Sequence, residues 1–439
     1  MCKNKIISIA AVILVLVISF TGCTQEVDST KEQEDVNQPI ETPQEKTEEV
    51  EERTEEQEGT EESENQEEVE NENEEIEEET PDQNSDNVIG QEVYISVNKL
   101  NVRVEKNAQS KSLGNLYKGR GVKVIEEVEQ EDTTWYKIEF ENAENNNEGW
   151  ISSEYTVKDI NELHSSSTLF DDKEMNDYFT SPNLFEDNTV VAYYGHPNSK
   201  IMGIVGRHPK EQLISLVQKT SEKYDAVNGN KSAIPAIYLV YGTAQPEGRI
   251  GMINYDLVMS YIEEAYKNGV LVYLDHQIGR HSPNEAINEL LPFLRYPNVH
   301  LALDPEWRTD KPMKEVGYLT GTEINEIQET MREYIIANEI QGKRQFVFHQ
   351  FLDTMIHDIE EVSSNYDPVL LVHNTSGWGS PEGKIATHTR NAKTTNIPYK
   401  GFKLWYYYSD NSGVHYDSPL MTPEQVLDLN PQPGLIIYQ

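Results

Sequence analysis

The chain has 439 residues and a formal net charge of −41, a length that allows several domains, each with a core of its own. Its 36 Lys and Arg stand against 77 Asp and Glu with no basic cluster, which excludes a nucleic-acid-binding footprint. Both cysteines, Cys2 and Cys23, fall in the leader, so the chain beyond them forms no disulfide and no Cys-liganded metal site.

The first residues have the three parts of an export signal. Lys3 and Lys5 form a positive region, Ile6 to Phe20 an apolar core, and Phe20-Thr21-Gly22-Cys23 a small-residue cleavage site. The apolar run is short for a membrane-spanning helix. A cysteine at that place resembles the lipobox of bacterial lipoproteins, with Phe20 where Leu is commoner. The resemblance implies that residues 1–22 are a signal peptide and that Cys23 becomes the lipidated first residue, so the chain is anchored by lipid outside the cytoplasmic membrane. An uncleaved anchor would leave the domains on the same side.

From Thr24 to Gly90 there are 28 acidic and 3 basic residues, a net charge of −25, and no aromatic residue. Such a stretch buries too little apolar surface to offset chain entropy. Like charges in "EEVEERTEEQEGTEE" repel and extend the chain, and Pro39, Pro43 and Pro81 argue against one long helix. Residues 23–90 are expected to be a disordered acidic stalk.

Residues 91–157 alternate apolar and polar positions in short runs broken by Asn, Gly and Lys, the pattern of a small all-β module. Leu100-Asn101-Val102-Arg103, Lys118-Gly119 before Val122 and Val124, Trp135-Tyr136-Lys137-Ile138, Gly149-Trp150-Ile151 and Tyr155 occur in order. Together they resemble the bacterial SH3 domain family, and the resemblance implies a small barrel that binds peptidoglycan peptides or acts as a spacer beside a cell-wall enzyme. Trp135 and Trp150 are expected in its core. Residues 158–187 read as a polar linker with a short helix.

From 188 to 439 short apolar runs alternate with amphipathic stretches. The expected strands are Thr189–Gly195, Pro235–Gly242, Gly269–Gln277, Val299–Glu306, Arg344–Gln350, Pro368–Asn374, Gly401–Asp410 and Gly434–Gln439. Helical patterns lie between them, among them "TGTEINEIQETMREYIIANE", for which Thr322 and Asn325 offer a cap. Near-continuous apolar strands alternating with helices mean a covered parallel sheet, and eight such units mean a (β/α)₈ TIM-like barrel, with a doubly wound sheet as the competing fold.

In such a barrel, chemistry belongs at the C-terminal ends of the strands. "VHLALDPEW" ends the fourth strand with Asp304 and Glu306 two positions apart, about 6.5–7 Å along an extended chain. A pair at that separation leaves room for water and suits inverting glycoside cleavage. Glu306, shielded by Trp307, is expected as general acid, with Asp304 or Asp275 ionised in support. Tyr194, Tyr241, His276, Trp307, His349, Asn374, Trp378 and Tyr407 are the expected substrate-binding residues around the rim, with Trp405 a further stacking face. Asp-x-Glu at this strand end beside an SH3-type module resembles the muramidase-type lysozymes, whose acid and stabilising Asp map onto Glu306 and Asp304. Those enzymes carry an Asp on the first strand, where this chain has "AYYGHPN". "KLWYYYSD" is similar to the seventh strand of chitinase-type barrels.

The expected function is hydrolysis or binding of peptidoglycan or another cell-surface glycan by a lipid-anchored monomer, without cofactor or metal. Two alternatives stand beside it. His196, His349 and His373, with Asp275 or His276, suit a metal-dependent hydrolase. In a non-catalytic wall-binding protein, Asp304 would cap a turn and Glu306 would pair with Arg308.

Overall fold

The computed structural model describes residues 88–130, 132–140, 148–163, 168–410 and 414–439. The leader, Cys23 and nearly all of the acidic stalk lie outside the described residues.

The first module is a seven-stranded antiparallel sheet built from short strands between Glu92 and Val157. Val93, Ile95, Val102, Val124, Ile138 and Ile151 point inward from alternate positions and form its core. The longest strand, Gly121–Gln130, shifts register between Val124 and Glu126, the bulge that lets it turn from one set of partners to the other. Trp135 is buried as expected, whereas Trp150 is half-buried, with Lys106 Nζ 5.3 Å above its ring.

The second module is a closed parallel barrel. Its strands are β1 (Asn188–Gly195), β2 (Ser232–Ala244), β3 (Leu271–His276), β4 (Val299–Leu303), β5 (Arg344–Gln350), β6 (Val369–Thr375), β7 (Tyr399–Leu404) and β8 (Leu435–Tyr438). Each pairs with the next in chain order, and β8 pairs with β1, which closes the eight-stranded ring and removes the doubly wound alternative. Side chains alternate between two apolar layers. Val190, Ala192, Ala236, Tyr238, Tyr273, Ala302, Val347, Val372 and Ile437 fill the interior. Val191, Ile237, Leu239, Val272, Leu274, Leu301, Phe346, Leu371 and Ile436 pack outward against the helices.

Ahead of the barrel lie α1 (Lys173–Phe179) and α2 (Leu184–Asp187), inside the segment expected as a linker. Phe179, Leu184 and Phe185 join the interior cluster, so this segment is part of the barrel's packing. The outer layer contains α3 (Lys210–Asp225), α4 (Tyr255–Lys267), α5 (Pro283–Asn288), α6 (Gly321–Ala337), α7 (Pro381–Asn391) and α8 (Pro423–Leu427). Thr320, not Thr322, caps α6: its hydroxyl accepts from the Glu323 amide, and Glu323 reaches back to the Thr320 amide. Between β5 and β6 there are 3₁₀ turns at Asp353–Met355 and Ile359–Glu361 and no α-helix, a departure from strict alternation.

The two modules touch through the loop Lys118-Gly119-Arg120. Lys118 Nζ donates to Asp256 Oδ1 at 3.1 Å, and Arg120 forms an ion pair with Glu289. Gly119 has φ +86° and lies against Tyr255, where a Cβ would meet the ring at 2.7 Å, so only glycine fits. Glu289 also receives His276 Nε2 at 3.1 Å. The Arg120 side chain is 39% exposed and that of Glu289 11%, so breaking the pair costs less than the loss of a fully buried one. Arg120→Ala is expected to lower stability by about 1–2 kcal/mol in urea unfolding. Glu289→Gln in the Arg120→Ala background should then cost little more from this pair, which a double-mutant cycle measures.

Candidate active site

Inward-facing positions continue past the apolar interior to the C-terminal mouth of the barrel. There the series on successive strands becomes Tyr194 (β1), Asp275 (β3), Asp304 (after β4), His349 (β5), Asn374 (β6) and Lys403 (β7). All six are buried.

Asp275 is the hub. Its Oδ2 accepts the Tyr194 hydroxyl at 2.9 Å and lies 3.6 Å from His349 Nε2, while its Oδ1 has no hydrogen-bond partner. Asn374 donates through Nδ2 to His349 Nδ1 at 2.9 Å, which leaves the His349 proton on Nε2, 3.0 Å from the Tyr238 hydroxyl. Gly401 makes room for Asn374, since a Cβ there would meet Asn374 Oδ1 at 2.6 Å. Burial, with the Lys403 charge second, holds His349 neutral well below its ordinary range. Burial and then the Asp304 charge push the Asp275 carboxyl up to about 8.

Strand β4 stops at Leu303, three residues short of the expected end at Glu306. Asp304 caps a 3₁₀ turn, Pro305–Trp307, and its Oδ1 accepts the Glu306 amide at 3.3 Å. Strand geometry therefore does not set the separation of the two carboxyls, and the inverting assignment drawn from it lapses. The pair is still coupled by charge. Burial and then Asp304 push the half-buried Glu306 up to about 8. Asp304 rises to about 6 by burial, against Lys403 and hydrogen bonds from the Glu306 amide and the Trp307 side chain. Arg308 pairs with Glu323 at 2.8 Å and not with Glu306.

Lys403, absent from the expected set, completes the cluster. Burial lowers its ammonium to about 8 against the pull of Asp304, Asp275 and Glu306. Its Nζ sits 3.5 Å from the Tyr194 ring centroid and 4.7 Å from that of Trp405. The signal in the sequence was a lysine in an apolar strand, two residues before Trp405. A strand running to Asp410 hides this lysine inside an aromatic run, whereas β7 ends at Leu404 and leaves Lys403 at the mouth. Tyr407 and Asp410 lie in the loop beyond: Tyr407 is 63% exposed against Tyr416, and Asp410 pairs with Arg207 at 2.9 Å.

Other expected residues are placed differently. Tyr241 sits at a register shift where β2 passes Asp275 and His276, so it turns outward onto Phe293. His276, next after inward Asp275, also faces away from the mouth and pairs with Glu289. Tyr194, His349 and Asn374 support Asp275 and present no open face to a ligand. Trp378 is exposed at the rim, stacked on His415 with ring centroids 3.7 Å apart and edge-on to Trp405.

The proposed histidine metal site does not assemble. His196 bonds its own loop through Asn198, and His373 faces outward between Thr394 and Gln350, stacked on Phe348. Among the described residues, His276, His281 and Glu289 bring three ligand atoms within 4.8 Å of one another. The fit to a metal is poor: His276 Nδ1 accepts the Ile278 amide, its Nε2 proton goes to Glu289, and Arg120 occupies that carboxylate.

Residues 98–157 match the bacterial SH3 domain family, and the chain carries a domain of that family. No curated protein matches the chain at the level of sequence. Among solved structures, one similar chain is an oxaloacetate acetylhydrolase bound to oxalate, with TM-score 0.37 and 14% identity over 60% of this chain and 80% of that one. A family 18 chitinase from Crocus vernus has TM-score 0.30 and 10% identity over 47% and 82%. An endo-1,4-beta-mannanase from Rhizomucor miehei has TM-score 0.33 and 6% identity over 57% and 85%.

Asp275 yields a stability prediction. Its folded pKa lies above the unfolded one, so the native state holds the proton more tightly. Its favourable contribution is complete below about pH 4 and is lost as pH rises towards 8. Asp275→Asn is therefore expected to be more stable than the wild type at pH 9, by an amount on the order of 2–5 kcal/mol, with a much smaller difference at pH 4. Urea midpoints at the two pH values measure this.

Proposed function

We propose that the barrel is a glycoside hydrolase acting on peptidoglycan or a related cell-surface glycan, held at the wall by the SH3 domain. The observation that carries the reading is the grouping of Asp275, Asp304 and Glu306 with one buried lysine at the barrel mouth. Two carboxyls are raised to about 8 and one to about 6, so a proton donor and a carboxylate coexist near neutrality.

In this reading Glu306, the least buried of the three carboxyls, protonates the glycosidic oxygen as the C–O bond breaks. The positive charge that develops on the sugar ring faces ionised Asp304, which the Glu306 amide and Trp307 hold in place. Asp275 supplies its unpaired Oδ1 to the same pocket, fixed through Tyr194. A water adds to the anomeric carbon and its proton returns to a carboxylate, which restores the site. Trp378 and Trp405 offer stacking faces for sugar rings beyond the cleaved bond. The leader motif ending at Cys23 supports a lipid anchor outside the cytoplasmic membrane, with the acidic stretch as spacer.

The test is release of reducing ends from purified peptidoglycan and chitin-type oligosaccharides by the full chain. Activity should rise as pH increases through about 6, where Asp304 loses its proton, and fall through about 8, where Glu306 does. Glu306→Gln should lower kcat about 10²–10⁴-fold with its fold intact, and a chelator should leave the wild type unaffected. Binding to wall without any release by the wild type would overturn the enzymatic reading.

A further inference from the structure

We propose that Lys403 is a positioning residue: its buried ammonium, seated on the face of Tyr194, lets one carboxyl at the barrel mouth stay ionised, and the hydrogen bonds there place that charge on Asp304. The consequence for catalysis rests on the glycosidase reading, but the charge assignment does not.

Asp275 on β3, Asp304 and Glu306 after β4 and the buried Lys403 ammonium on β7 share the barrel mouth, and each carboxylate charge favours the charged form of the lysine. The other groups facing this space add no free charge. His349 on β5 is held neutral, and the Tyr194 and Tyr238 hydroxyls are held well above their ordinary range, first by burial. Lys384 on α7 is matched by Asp417, 3.1 Å away. One buried cation thus faces three carboxyls, of which Asp275 and Asp304 are buried as well. An isolated buried carboxylate is costly, so the arrangement supports one ionised carboxyl with one ammonium.

Which carboxyl is ionised follows from its hydrogen bonds. Asp304 accepts the Glu306 amide and the Trp307 side chain, both of which favour its charged form. Asp275 has the Tyr194 hydroxyl on one oxygen and nothing on the other, and Glu306 has the Asp304 charge beside it. Lys403 therefore holds Asp304 ionised and leaves Asp275 and Glu306 protonated.

The lysine is fixed for this task. Lys384 Nζ donates to the Lys403 carbonyl at 2.6 Å. Asp417 accepts the Trp405 amide at 2.9 Å and the Gly379 amide at 3.0 Å, which ties the loops after β6 and β7 together. The Tyr194 ring beneath Nζ is itself held by Asp275. Cation, ring and carboxyl make one stack.

The experiment is a ¹³C carboxyl NMR titration of the full chain labelled at Asp and Glu side chains, with Asp304→Asn assigning the Asp304 signal. Lys403→Met is expected to move the Asp304 titration up by about one pH unit or more, and Lys403→Arg to leave it near the wild-type position. A folded Lys403→Met protein whose Asp304 titrates unchanged overturns the proposal. If Lys403→Met does not fold, the ¹⁵N signal of the Lys403 amine in the wild type decides the matter. It must be charged at the pH where Asp304 ionises, and a neutral amine there overturns the proposal. Where reducing ends are released, the low-pH limb of activity should follow the Asp304 signal in each variant. Absence of release alongside the shift removes the glycosidase reading and leaves the role of Lys403 standing.

Discussion

Closure of eight parallel strands is the constraint on which the rest of this molecule depends. In a closed ring each residue faces either the interior or the helices, and the choice alternates strictly along the strand. A residue's chemistry is therefore decided by parity before it is decided by type. Asp275 and His276 are adjacent and both polar, yet one joins the carboxyl cluster at the barrel mouth and the other an ion-paired patch beside the SH3 domain. The same rule separates His349, facing in, from His373, facing out. The one local exception, the register shift between β2 and β3, sends Tyr241 outward and keeps Gly242 against His276, where a Cβ would meet the ring at 2.6 Å.

Parity also concentrates conflict at the mouth. Apolar layers fill the interior below, so the carboxyls above them sit where charge is poorly solvated. A sequence selected only for stability would replace Asp275 by an apolar or amide side chain. A buried Asp with an unpaired oxygen beside a buried lysine is the pattern expected where stability is surrendered for chemistry. The non-catalytic reading anticipated Asp304 as a turn cap, and it is one. Capping is compatible with the proposed role of Asp304, because the Glu306 amide that it accepts favours its charged form.

The fold was legible in the sequence because long apolar strands and their spacing survive without tertiary context; all eight strands lie where the pattern indicates, differing chiefly at their ends. The ends are where the candidate site is, and strand ends are the part that an apolar pattern specifies least. Drawing β4 through Glu306 treated a 3₁₀ turn as extended chain, since Pro305 gives no sign of which side of it the strand stops. Drawing β7 through Asp410 hid Lys403 inside an aromatic run and promoted Tyr407, which is exposed in the following loop. Nothing in one sequence reports parity at a bulge, so the outward turn of Tyr241 and His276 has no sign in the residues alone. The segment before the barrel read as polar linker because Phe179, Leu184 and Phe185 are few among many polar residues, although each is buried.

The loop after β3 links the two modules through one short piece of chain. Asp275 faces the mouth, and the next residue, His276, holds Glu289, on which Arg120 of the SH3 domain is seated. Contact between the domains is thus transmitted to the strand that bears the central carboxyl, on its opposite face and a single peptide bond away. A swinging tether would leave the mouth free to turn at random relative to whatever the SH3 domain holds. With Gly119 pressed on Tyr255 and Lys118 on Asp256, the domain is held at three neighbouring points of the barrel. Orientation between the two modules is then set by the fold.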